Sequence, residues 1–242
     1  MTTLDRKELP PFIKLPFKFD MDKILEAFEP FKDFNKYNDL NGNACNAEYA
    51  ELATEKRNHL AKFVHDSELI KFENAAYASE FYKQLSLTEF DGDRDLPKIS
   101  SNVFESYKAS ARPDSAAYSP ILDERNYTKR KDICTGYWND ILDTFKSPVT
   151  RTRFAYLAPN FSIKPHIDYN TTYSIRVHIP IVTNPDSFLC VKMNGEEHRM
   201  HCPADGSVYF LNSGLVHWAE NNGDEGRIHL VISLNGQEDI CS

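Results

Sequence analysis

The arrangement of apolar and polar positions changes character near residue 150. Before that point the recurrence is helical. Asp20 is placed to cap a short helix that presents Ile24, Leu25 and Phe28 on one side and ends near Pro30. Residues 47–64 read as a helix with Leu52, Leu60, Phe63 and Val64 toward a core, and 75–85 as another carrying Phe81, Tyr82 and Leu85. Loops follow at Asp91-Gly92-Asp93, at Pro97 and around 112–120. A further helix is expected over 131–145, with Cys134, Trp138, Ile141, Leu142 and Phe145 at helical spacing and Pro148 as its stop.

From Arg151 onward the pattern is one of short strands: 151–157, 162–168, 173–182, 188–193, 196–200, 207–211, 217–220 and 227–234. Asn184-Pro185-Asp186, Asn194-Gly195, Asp205-Gly206, Asn212-Ser213-Gly214 and Asn222-Gly223 supply the reversals between them. That supply of strands and turns fits a jelly roll. The fold expected is α+β: residues 1–150 form a mainly helical support, and residues 151–242 a double-stranded β-helix of cupin-like form packed with it as one compact unit. No internal repeat or low-complexity stretch interrupts this division.

Composition narrows the classes. Hydrophobic residues are 41% and charged residues 26% of the 242, enough for a packed core and against global disorder. The 36 acidic side chains outnumber the 28 basic ones, giving a net charge of −8, and nucleic acid is not the expected partner. Lys129-Arg130-Lys131 reads as a solvated face. Met1 to Pro11 carries Asp5, Arg6, Lys7 and Glu8 where a signal peptide needs an apolar run, and no later stretch approaches a membrane span. Five scattered cysteines without CxxC spacing point to reduced thiols and a cytoplasmic setting.

The chemistry is concentrated in Lys164-Pro165-His166-Ile167-Asp168. Side chains two apart on a strand share a face, so His166 and Asp168 can converge on one point while Ile167 turns into packing. His217, at the start of a late strand, is the candidate third ligand. Two imidazoles and a carboxylate on one face of a metal leave three positions open and suit iron(II). An HxD triplet is common by chance as a surface pair, and His217-Trp218 alone reads equally well as a packed core pair. Arg227 changes the balance. It lies ten residues after His217 and opens the next strand. An arginine there is ordinarily on the surface, whereas an inward one needs a buried anion, such as the distal carboxylate of a 2-oxo diacid. His198, His201 and His229 are set aside as surface or core histidines, and Trp218 as a residue packed on the sheet. Tyr169, Asn170 and Thr171 are either a substrate-facing mouth or a solvated loop.

Leu157-Ala158-Pro159 leading to Pro165-His166-Ile167-Asp168, then Arg176-Val177-His178-Ile179-Pro180, then Gly206 to His217, then Arg227, together resemble the aspartyl/asparaginyl β-hydroxylase family. The ligand set is similar to that of bacterial members such as the proline cis-4-hydroxylases. The resemblance spans 151–234. It implies a double-stranded β-helix with iron(II) at its open mouth, held by His166, Asp168 and His217. It further implies 2-oxoglutarate as co-substrate with its C5 carboxylate on Arg227, dioxygen as oxidant, and Arg176 and His178 as contacts for co-substrate or substrate. The animal aspartyl hydroxylases of this family lack the metal carboxylate that Asp168 supplies, which draws the likeness toward the bacterial amino-acid hydroxylases. The expected reaction is hydroxylation of a C–H bond in an amino-acid-like substrate, free or peptidyl. A cupin-like metal isomerase or hydrolase, or a non-catalytic jelly-roll binding module, would account for the metal residues without 2-oxoglutarate. Oligomeric state is not legible.

Overall fold

The structure is a computed structural model that describes residues 3–32, 81–89, 91 and 123–240. Its strands are β1 (Phe12–Lys18), β2 (Tyr82–Ser86), β3 (Thr88–Glu89), β4 (Lys129–Arg130), β5 (Val149–Leu157) and β6 (Phe161–Ser162). They continue as β7 (Ile175–Val182), β8 (Ser187–Met193), β9 (Glu196–Met200), β10 (Ser207–Leu211), β11 (Val216–Asn221) and β12 (Arg227–Leu234). Two α-helices join them, α1 (Met21–Phe28) and α2 (Tyr137–Asp143). No helix among the described residues is long and apolar enough to cross a membrane.

A six-stranded sheet runs β1-β10-β7-β12-β5-β2 and a four-stranded sheet β6-β11-β8-β9, with every pairing antiparallel. A small β3-β4 ribbon lies beside them. The two main sheets face one another as a double-stranded β-helix. Leu157, Tyr209 and Leu211 of the larger sheet pack with Leu189, Val191 and Ala219 of the smaller.

Strand alternation gives the large sheet two different faces. Ile228, Leu230, Ile232 and Leu234 of β12, with Ile175, Val177, Ile179 and Ile181 of β7, join Phe154, Phe28, Trp138 and Ile141 in one apolar layer beneath the helices. Phe154 is the hub, with Phe28 and Trp138 meeting its ring edge-on at 5.1 and 5.0 Å. The alternate residues, Arg227, His229, Val231 and Ser233 on β12 and Arg176, His178 and Pro180 on β7, face the barrel interior.

Several expectations are met closely. The strands at 196–200, 207–211 and 227–234 have the expected bounds. Asp20 caps α1, its side chain accepting from the backbone N–H groups of Asp22 and Lys23. Asn194 and Gly195, at φ 53° and 87°, form the left-handed two-residue turn between β8 and β9. Other expectations are corrected. Leu25 is exposed, because an eight-residue helix buries only its i, i+4 stripe, here Ile24 and Phe28. The helix expected over 131–145 is confined to Tyr137–Asp143, since Gly136 at φ 54° begins it, although Cys134 and Phe145 are buried as anticipated. Tyr82–Ser86 is a strand paired to β5, not the end of a helix. The strand expected over 162–168 is regular only at its start, in Phe161–Ser162, and is followed by an isolated bridge at His166. Phe12–Lys18, with no element expected, is a strand on the edge of the large sheet. Both sides of residue 150 therefore contribute to that sheet. The helix expected over 47–64 lies outside the described residues.

Candidate metal centre

An antiparallel bridge brings the two distant histidines together. His166 N–H donates to the His217 carbonyl at 3.0 Å, and His217 N–H donates to the His166 carbonyl at 2.8 Å. Residues paired in this way project to the same side, and the imidazole centroids lie 4.2 Å apart. Asp168 is held by its own backbone N–H, which donates to the Ser213 carbonyl at 2.9 Å in the Asn212-Ser213-Gly214 turn. Ligand-capable atoms of His166, Asp168 and His217 all lie within 4.8 Å of one another.

The imidazoles are already oriented. Nδ1 of His166 lies 2.9 Å from the Lys164 carbonyl, and Nδ1 of His217 lies 3.0 Å from the Leu215 carbonyl. A carbonyl only accepts, so each Nδ1 donates, which leaves each Nε2 to serve as a metal-ligand atom once it carries no proton. Those Nε2 atoms face the carboxylate, at 3.3 Å for His217 and 3.8 Å for His166. Two imidazole nitrogens and one carboxylate, with backbone carbonyls fixing the ring orientation, are a fitting donor set for a divalent first-row metal.

Asp168 stays ionised. Burial alone would raise its pKa, but the Arg176 guanidinium, helped by His217, holds it well below the usual carboxylate range. Arg176 forms an ion pair with Asp168 and reaches Glu124 at 3.1 Å on its other side. Glu124, from the 3-10 turn Glu124–Asn126, also accepts from the Ser233 hydroxyl at 3.3 Å and lies 3.9 Å from Arg151. It is ionised despite burial, which works against the charge, because Arg176, Arg151 and Arg153 surround it.

The rest of the barrel interior carries buried cations and imidazoles. Arg227 is 4% exposed, and its Nε and one terminal nitrogen have no hydrogen-bond partner. Burial pushes its pKa down to about 10. Arg153 on β5 is 3% exposed, with its Nε and one terminal nitrogen likewise unpartnered. His178 and His229 meet through their Nδ1 atoms at 3.5 Å and leave both Nε2 atoms without a partner. Burial, followed by the Arg227 charge, holds both well below the ordinary histidine range, so both are neutral. Unsatisfied buried donors are costly and uncommon, and those grouped here on one inner surface are what a bound anion would satisfy.

Of the residues expected at the site, His178, His217 and Arg227 are buried in this interior, Asp168 and Arg176 are half-buried, and His166 lies exposed at its mouth. Arg176 is already engaged by two carboxylates. Sequence reasoning passed over three others: His229, Arg153 and Glu124. Arg227-x-His229 repeats the Arg176-x-His178 pattern on the neighbouring strand, and Arg151-x-Arg153 places two cations on one strand face. Both signals were present. Glu124 carried none, since nothing in a loop reveals what it plugs. Trp218 points away from His217 by alternation and donates to Glu220 at 2.7 Å. His201 is bonded to the Ser187 carbonyl at 3.0 Å, away from the triad. Asn170 and Thr171 bond to Asp5 and Leu4, and so fasten the N-terminal segment.

A family model described as aspartyl/asparaginyl beta-hydroxylase matches residues 46–236, most of the chain. Among solved structures, an oxidoreductase of the 2OG-Fe(II) oxygenase family from Burkholderia pseudomallei is 14% identical, with 64% of this chain and 68% of that one covered at a TM-score of 0.37. A prolyl-4-hydroxylase from Pseudomonas putida is 18% identical over 36% of this chain and 48% of that one, with a TM-score of 0.30. A cupin domain from Bordetella pertussis Tohama I is 14% identical over 38% and 88%, with a TM-score of 0.29. Likenesses this distant say nothing about substrate.

Proposed function

The chain belongs to the aspartyl/asparaginyl β-hydroxylase family, and on that premise we propose that it is an iron(II)- and 2-oxoglutarate-dependent dioxygenase that hydroxylates a C–H bond of an amino acid or amino-acid-like substrate. The observation that carries this reading is the presence, in one barrel, of the His166-Asp168-His217 cluster and the unpartnered Arg227 guanidinium. A cupin-like isomerase or hydrolase would use the cluster but has no use for a buried cation without an anion. A binding module would need neither.

His166 and His217 would hold iron(II) through Nε2, and Asp168 through a carboxylate oxygen. The metal, with 2-oxoglutarate and dioxygen, supplies the oxidising power for C–H hydroxylation. The protein's part is positioning. Arg227 offers paired N–H donors to the distal carboxylate of the co-substrate, in a setting where burial strengthens that contact. His178 and His229, kept neutral, offer N–H or lone pair without adding charge beside Arg227. Arg176 screens Asp168 and orients it, while Glu124 fixes Arg176 from behind. The apolar contacts of Leu189, Val191, Tyr209 and Leu211 close the space between the sheets to water.

Anaerobic addition of 2-oxoglutarate to the iron(II) protein tests the assignment. The expected result is a visible charge-transfer band, then succinate on admitting oxygen, with both lost in His217→Ala. A protein that binds iron but gives neither band nor succinate would overturn it.

A further inference from the structure

Among the described residues, two buried guanidiniums, Arg227 and Arg153, each keep two nitrogens without a hydrogen-bond partner, and the co-substrate accounts for one of them. Arg227 opens β12 and has Cys202, Tyr82, Cys190, His178 and His229 among its titratable neighbours. Arg153 is elsewhere. It lies on β5 opposite Val231, whose partner on the other side is His178, and opposite Ser86 on β2. Arg151, Arg176, Tyr82 and Glu124 are the charged or titratable groups around it. Arg176 is the residue that pairs with Asp168, so Arg153 lies toward the metal-cluster end of the barrel and Arg227 toward the other.

Among the described residues no carboxylate is hydrogen-bonded to the Nε or the unpartnered terminal nitrogen of Arg153. Glu124 acts on Arg153 through its charge, but its contacts go to Arg176, Ser233 and Arg151. Arg153 therefore remains 97% buried beside two other guanidiniums with two nitrogens unbonded. Burial, with Arg151 and Arg176 adding to it, pushes its pKa down to about 9. A cation kept in such a place with unbonded donors is stabilised by an anion that reaches them.

We infer that Arg153 is the anchor for a carboxylate on the primary substrate, forming an anion subsite separate from that of Arg227. This rests on the oxygenase reading, because a hydroxylated C–H must lie at the metal-cluster end, where Arg153 lies. It also reassigns a role: Arg176, otherwise the natural partner for a substrate carboxylate, is held by Asp168 and Glu124. The shared chemistry is a carboxylate, whether the α-carboxylate of a free amino acid or the acidic side chain of a peptide.

The test needs no knowledge of the substrate. Manganese(II)-loaded protein, saturated with 2-oxoglutarate, is melted in increasing sodium acetate against sodium chloride of equal ionic strength, and separately in acetamide. Acetate is expected to raise Tm and acetamide to have no effect. Arg153→Gln should lower the apparent acetate affinity at least about tenfold, the loss typical of a charged hydrogen-bond partner, while the 2-oxoglutarate-induced rise in Tm persists. Equal response to acetamide, or an unchanged acetate response in Arg153→Gln, overturns the inference. So does loss of the 2-oxoglutarate response in that variant, which would make Arg153 a co-substrate residue. Repeating the acetate titration in Arg227→Gln separates the two claims: if 2-oxoglutarate never shifts the wild type, the oxygenase reading fails while the Arg153 site is still read directly. Turnover then distinguishes the sources. Free amino acids should lose stimulation as α-amides, and acidic peptides should lose it when Asp is replaced by Asn; indifference to both changes again overturns the inference.

Discussion

At the scale of single residues, the barrel interior is built against its own stability. A buried guanidinium without a partner destabilises the ligand-free fold, and Arg227 is such a group. Arg227→Met is expected to raise the melting temperature of the ligand-free protein, by an amount equivalent to about 1–4 kcal/mol, while abolishing stabilisation by 2-oxoglutarate; paired thermal melts check both. The neutral imidazoles make a second prediction. His178 and His229 have folded pKa values well below 6.5, so below about pH 6.5 the unfolded chain takes up protons that the folded one refuses. Stability should therefore fall as pH falls through that window, by up to about 1.4 kcal/mol per unit for each histidine. Urea titrations at several pH values should show the slope shrink in the His178→Gln/His229→Gln double variant. His166, Asp168, His217 and Arg227 were legible in the sequence because their chemistry is tied to spacing. Arg153 and Glu124 were not, because whether a charge points inward depends on sheet register and on which loop covers the barrel end.

At the scale of elements, turns place the ligands as much as strands do. Asn212 Nδ2 donates to the carbonyls of Arg6, Leu9 and Pro10, and so fastens the turn whose Ser213 carbonyl receives Asp168. Gly206 has a comparable role at the start of β10. It sits at φ +81°, and a Cβ there would lie 2.0 Å from the Phe19 carbonyl oxygen, where Phe19 N–H donates to the Gly206 carbonyl at 2.8 Å. Gly206→Ala should cost at least about 2–3 kcal/mol, since backbone strain and a backbone clash combine; chemical denaturation measures it. The late strands were legible because turn residues separate them. β2 was misread because Tyr82 and Leu85, three apart, imitate a helical stripe. β1 was missed because Lys14, Pro16 and Lys18 interrupt its apolar run, which is how an edge strand is often written.

At the scale of the whole molecule, the large sheet divides its labour between two faces. Apolar packing behind it supports the fold, and the inner face holds the buried charges. A metal at the cluster would cross-link chain segments that also meet through backbone hydrogen bonds, His166 with His217, Ile163 with Ala219 and Asp168 with Ser213. Metal binding should therefore stabilise the protein by mass action, about 2.7 kcal/mol at a concentration one hundred times the dissociation constant. Melts with and without manganese(II) should show that gain in the wild type and its loss in Asp168→Ala. The helical layer and the barrel were anticipated as fold class, but their joint use of one sheet was not, because pairing between distant strands leaves no local trace.

The edge strand β1 has a further consequence, in the time domain. Phe12–Lys18 leaves the ribosome long before its partner β10, which begins only at Ser207. Phe12, Ile13, Leu15 and Phe17 must wait until the intervening chain is made before their neighbour exists, so closure of this edge is a long-range event. The lysines and proline that obscured the strand in the sequence are suited to that interval, since they discourage a waiting strand from pairing with another chain.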